Sequence, residues 1–133
     1  MTYKFPIFAN NELIDFIKID LLDHGQRRFE IKVLDGPLMG EVFESWDYFS
    51  LLSKLRNSLD EGMLLGCVGA VENFYPSNMS LDMGLGKVGY IAELGKPATR
   101  ESGAFVFDIC SCPEKLATVK DQEKFHKKWL ESL

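Results

Sequence analysis

Cys110 and Cys112 stand two positions apart. On a strand such residues share a face, so the pair is able to meet a metal ion together. Zinc takes four ligands, and its paired cysteines usually have two or more residues between them, which argues against a metal centre here. The third cysteine, Cys67, lies in an apolar run, and an odd number without framework spacing speaks against structural disulfides. The histidines are His24 and His126. A cysteine–histidine hydrolase needs an exposed thiol in electropositive surroundings. Cys67 reads as buried and inert, leaving Cys110 or Cys112 with His126 as the combination to consider. Gly84-Leu85-Gly86, with Gly89 beyond, resembles part of a phosphate-binding loop, but such a loop leads into a helix and a strand is expected next. Those glycines suit a tight bend with positive φ. Glu72 and Asp82 read as solvated carboxylates rather than an acid–base pair. These residue types therefore point to no catalytic residue, no metal and no cofactor.

The elements that would position them centre on residues 63–94. This stretch reads as a buried strand over 63–71, a long loop over 72–86 and a second strand over 87–94. Loops of that length in compact domains are usually functional or disordered, and Phe74, Tyr75, Met79, Leu81 and Met83 supply apolar anchors that disordered segments lack. Residues 1–13 read as an irregular lead-in, because Pro6 and Asn10-Asn11 interrupt any pattern. Residues 14–22 fit either a helix, with Leu13, Ile14, Ile17 and Leu21 on one face, or a strand. The turn at Asp23–Gln26 and the strict alternation over 28–34 favour a hairpin. A turn at Asp35-Gly36-Pro37 and a short strand over 40–44 complete a three-stranded antiparallel meander.

Ser45 is placed to cap a helix over 46–59. Phe49, Leu52, Leu55 and Leu59 form its buried stripe, with Lys54 and Arg56 in solvent, and Gly62 stops it. After a loop over 95–103, a strand over 104–109 is closed by Pro113. Thr118 caps a last helix that docks Phe125, Trp129 and Leu133 on the sheet and turns Lys120, Lys124, Lys127 and Lys128 outward. The fold class expected is α+β: an antiparallel-rich sheet of about six strands, built as the N-terminal meander, a helix and three further strands, with the C-terminal helix packed on it.

A chain of 133 residues with 46% hydrophobic content makes one domain, 1–133, with a real core. No apolar run is long enough to cross a bilayer. Residues 1–6 carry no secretory signal pattern, so a cytosolic protein is expected. The net charge of −5 and pI near 5.0 lack the basic footprint of a nucleic-acid binder. They suit solubility, or steering toward a basic partner. Asp35, Glu41, Glu44 and Asp47 fall between Lys32 and Lys54 with no base among them. Asp60, Glu61, Glu72 and Asp82 fall likewise between Arg56 and Lys87. These acids, with Tyr75 as an aromatic anchor, have the makeup of a recognition surface. The other reading, that Phe74 and Tyr75 fold back onto the core and the acids are merely wet, stays open.

The run Cys67-x-Gly69-Ala70, then Tyr75-Pro76-Ser77-Asn78-Met79, then Asp82-Met83-Gly84-x-Gly86 and Tyr90, followed by Ala117-Thr118-Val119, Gln122, Phe125 and Trp129, resembles small bacterial immunity proteins of toxin systems, including contact-dependent growth inhibition. Asn78 stands where that pattern has glycine, so left-handed backbone is expected there, which asparagine tolerates. The resemblance implies a cytosolic protein that binds a cognate toxin C-terminal domain, frequently a nuclease, and covers its active site or substrate groove. It implies no catalysis and no direct contact with nucleic acid or membrane. The toxin-binding residues to test are Asp35, Glu41, Glu44, Asp47, Asp60, Glu61, Glu72, Tyr75 and Asp82. The alternative is a small enzyme or ligand-binding domain with a pocket of Tyr75, Met79, Met83, Cys110 and His126 under the 72–86 loop.

Overall fold

Tyr3, Phe5 and Ile7 alternate with Thr2 and Lys4, and they open the chain as a strand, β1 (Thr2–Ala9), which buries Phe5, Ile7 and Phe8. This corrects the irregular lead-in expected over 1–13. Both supposed breakers are accommodated. Asn10 and Asn11 take left-handed backbone, φ 51° and 62°, and form the two-residue turn into β2 (Glu12–Asp23), a turn whose twist matches that of paired strands. Pro6 has no N–H to give. Its carbonyl accepts from Gly66 N at 2.8 Å, and Gly66 O takes its hydrogen bond from Cys110 N at 3.1 Å instead.

The computed structural model describes residues 1–99 and 103–133, so part of the loop expected over 95–103 lies outside the described residues. The hairpin expected over 14–34 is present. β2 pairs with β3 (Phe29–Asp35), where Phe29, Ile31 and Val33 are buried in alternation, and β4 (Val42–Ser45) pairs with β3. β5 (Leu64–Leu65) joins the other side of β1, giving an antiparallel sheet ordered β4-β3-β2-β1-β5. A second antiparallel sheet is ordered β6 (Phe74–Tyr75), β7 (Val88–Ile91), β8 (Gly103–Phe105). The class is α+β and antiparallel, as expected, with its strands divided between these two sheets. One core joins them. Phe5, Ile17, Ile31, Leu52, Phe74 and Phe107 all belong to it.

Three helices complete the described chain: α1 (Tyr48–Ser58), α2 (Asn78–Met83) and α3 (Val119–Glu131). α1 starts later than expected because Asp47, not Ser45, caps it. The Asp47 carboxylate accepts from Ser50 N at 2.7 Å and from the Ser50 hydroxyl at 2.8 Å, while Ser45 is held in β4 opposite Phe29. α2 occupies the middle of what the sequence presents as loop, with the Ser77 hydroxyl accepting from Ser80 N. Asn78 is its first residue, in right-handed helix, so the left-handed expectation is corrected. Leu85 and Gly86, φ 58° and 70°, make the left-handed bend instead. Thr118 caps α3 as expected, accepting from Asp121 N at 3.1 Å, and Leu133 is exposed rather than docked.

The continuous strand expected over 63–71 is also corrected. After β5 the chain makes an isolated bridge from Cys67 to Ile109, a short 3-10 turn over Val68–Ala70, and a second isolated bridge from Val71 to Leu116. That turn aims carbonyls at the largest surprise in the fold. Arg56, expected in solvent, is only 8% exposed. It donates to Gln122 Oε1 at 2.7 Å, Ala117 O at 2.8 Å and Gly69 O at 3.2 Å. The Gln122 amide nitrogen lies within 3.0 Å of the carbonyls of Gly69, Val71 and Phe74. This network ties α1, the 3-10 turn, β6 and α3 together.

Candidate functional site

The acids expected to form one surface are dispersed. Asp35 and Glu41 are exposed near the two ends of the β3–β4 connection, and Asp35 accepts from Gly36 N. Glu44 lies on β4 across from Glu30 and pairs with Arg28 at 3.0 Å. Asp47 is occupied as a helix cap. Asp60 and Glu61 follow the other end of α1, an 11-residue helix and hence roughly 16 Å from that cap. There they border a small cavity of about 180 Å³ with Arg56 and Thr118. Glu72 is exposed next to the 3-10 turn, and Asp82 is exposed on α2. The structure thus brings Glu44, Asp47 and Asp82 to one end of the molecule and sets Asp60 and Glu61 beyond the opposite end of α1.

Tyr75 turns inward. Its ring stacks on His126, centroids 3.8 Å apart and 11° between planes, and meets Phe49 edge-on at 5.2 Å. Burial raises the phenol pKa, with Glu123 and Asp47 adding to the rise. The same burial holds the His126 imidazole below its ordinary value. Phe74 is fully buried. Of the pocket set, Met79 and Met83 are exposed, and Cys110 is half-buried, its backbone N–H donating to the Gly66 carbonyl. Burial pushes the Cys67 thiol up to about 12, so it stays protonated and inert. Among the described residues no group of three or more His, Cys, Asp or Glu side chains converges as a metal site would require. No described helix is long and apolar enough to cross a membrane.

A larger cavity than the one beside Asp60 lies elsewhere, between the β2–β3 turn and the β4–α1 junction. It is a cleft of about 450 Å³ lined by His24, Gly25, Gln26, Arg27, Arg28, Glu44, Ser45 and Trp46, within the usual size range of binding pockets. Trp46 is 75% exposed. Trp46 stands between the end of β4 and the Asp47 cap, outside the helix, and its ring is left in water.

Three segments are stapled around this cleft. Arg27 reaches from the β2–β3 turn to α2, donating to Asp82 O at 2.7 Å and Leu81 O at 3.0 Å. These carbonyls lie at the C-terminal end of α2, where a cation is favourable. Tyr48 N donates to Leu85 O at 2.8 Å, joining α1 to the bend after α2. Gly86 is packed there so closely that a Cβ would lie 3.0 Å from both Asp47 Oδ1 and Phe49 N. The staples hold α2, with Met79 and Met83 exposed at 72% and 81% and four positions apart, beside the cleft. Residues four apart on a helix share a face.

The resulting surface carries an exposed tryptophan, two arginines and two methionines, residue types over-represented at protein interfaces, with Glu44, Asp47 and Asp82 among them. Trp46, Arg27 and Arg28 were absent from the sequence-derived set. The available signal was Asp47-x-x-Ser50, which marks the cap and leaves Trp46 outside the helix. Neither the models of known protein families nor the sequences of curated proteins give a match to this chain.

Proposed function

We propose that this chain is a cytosolic immunity protein that binds a cognate bacterial toxin domain, a nuclease being the favoured class, and neutralises it by covering its active site or substrate groove. Trp46 is the observation that carries this reading: an indole left 75% exposed on a rigidly stapled surface. Burying it against a partner recovers hydrophobic free energy that folding leaves unused, on the order of 25 cal/mol per Å² of apolar surface. The acids around it steer a basic partner, and an acidic inhibitor facing a nuclease takes the place of the phosphates the enzyme is built to attract. The resemblance noted from the loop and C-terminal motifs supplies the toxin as partner.

On this reading the gene immediately upstream is expected to encode a large toxin, and the test is co-expression with the C-terminal domain of that toxin. Wild-type protein is expected to restore growth. Trp46→Ala is expected to weaken binding about 30-fold or more, the scale of a central aromatic anchor. Reversing Glu44 and Asp82 to lysine slows association more than it speeds dissociation. A wild-type protein that neither binds nor protects against that toxin domain overturns the proposal.

A further inference from the structure

We infer that the cleft beside Trp46 receives a carboxylate side chain, Asp or Glu, presented by a loop of the protein partner. The inference rests on the reading of the chain as a protein-binding module and names what the partner brings.

The cleft is rich in donors and short of acceptors. Ser45 lines it; its hydroxyl has no hydrogen-bond partner among the described residues and is open to the cleft rather than sealed from solvent. The Trp46 indole N–H and the Gln26 amide lack partners among the described residues as well. Arg28 uses its Nε toward Glu44 at 3.0 Å, and its two terminal nitrogens are unbonded among the described residues. A guanidinium offers five N–H donors in a fork that fits a carboxylate. Arg27 and Arg28 outnumber Glu44, so the lining is net positive on a chain of net charge −5. Charge complementarity therefore selects an anionic group here, against the trend of the rest of the surface.

The Glu44–Arg28 pair does not bar entry. Both side chains are more than half exposed, and exposed pairs of this kind hold little free energy. An incoming carboxylate takes the terminal nitrogens of Arg28 and the Ser45 hydroxyl, and Trp46 covers it from the side. Arg27 stays on its α2 carbonyls, so the cleft keeps its shape when filled.

The experiment is panning of a random peptide library on the intact protein, followed by fluorescence polarisation with one labelled enriched peptide. Enriched peptides are expected to share an Asp or Glu. Replacing that acid by its amide is expected to weaken binding at least tenfold, as is Arg28→Gln, with Ser45→Ala weakening it to a smaller degree. Circular dichroism confirms that both variants fold. Enriched peptides without acids, acidic peptides that bind both variants as well as wild type, or no enriched peptide at all overturn the inference. Those failures leave the wider reading intact wherever Trp46→Ala still abolishes protection against the toxin domain. Acid-dependent binding without any toxin neutralisation sinks the wider reading alone.

Discussion

Arg56 is a buried cation that donates to neutral oxygens rather than to a carboxylate: two backbone carbonyls and the Gln122 side-chain amide. Desolvation lowers its pKa, but an arginine starts so high that it stays charged. Arg56→Met strands Gln122 Oε1 and Ala117 O. At roughly 1–3 kcal/mol per unsatisfied buried acceptor, the loss is expected to be about 3 kcal/mol in urea unfolding. Gln122→Ala should act non-additively with it in a double-mutant cycle; additive losses would mean the two do not form one network. The cysteines give a second residue-scale check. Cys67 is fully buried with its thiol raised, whereas Cys110 and Cys112 are half-buried. An aromatic disulfide reagent should therefore label Cys110 and Cys112 in the native state and Cys67 only on unfolding. Arg56 was half-legible in the sequence. Phe49, Leu52 and Arg56 are spaced i, i+3, i+7, which puts Arg56 on the buried stripe. Its charge argued for solvent, and the carbonyls that satisfy it come from segments 13 and 61 residues away.

At the scale of elements, the ends of helices and hairpins decide the site. Asp47→Ala removes the α1 cap and is expected to cost about 1 kcal/mol, read as a lower urea midpoint, whereas Ser45→Ala should leave stability nearly unchanged. An equal loss in the two would contradict the assignment of the cap. The β2–β3 hairpin was legible because Phe29, Ile31 and Val33 alternate with charge. β1 was not, because Pro6 and Asn10-Asn11 carry the same letters in a breaker as in a hairpin. Only the pairing of β1 with β2 and β5 tells these apart. α2 was hidden for a related reason. It is six residues long, too short for periodicity to show, and tertiary staples rather than propensity hold it. Several residues of the loop and C-terminal motif have structural work in this chain: Ser77 and Thr118 cap helices, Gln122 bonds three carbonyls, and Gly86 fits a left-handed bend.

Across the whole molecule, His126 links pH to stability. Burial holds its imidazole below the ordinary value of 6.5, so the folded chain binds that proton less readily than the unfolded chain. Its contribution to stability is fully present above pH 6.5 and is lost as pH falls from there through the folded-state pKa. Urea midpoints should drop over this window, and His126→Gln should flatten the drop; an equally steep variant would assign the effect to other groups. The class α+β, the excess of acids and the lysine face of α3 could all be read from the chain. The gathering of Trp46, Arg27, Arg28 and α2 could not, since it depends on a contact between residues 27 and 82.

That contact has a further consequence. Arg27 grips main-chain oxygens on α2, and so does Tyr48 N at Leu85; neither staple reads the identity of the side chains it passes. Met79, Asp82 and Met83 are therefore free to be exchanged without loosening the scaffold beneath them. A lineage under pressure to recognise a changed opponent has, in those three outward positions, a place to vary that its architecture does not police.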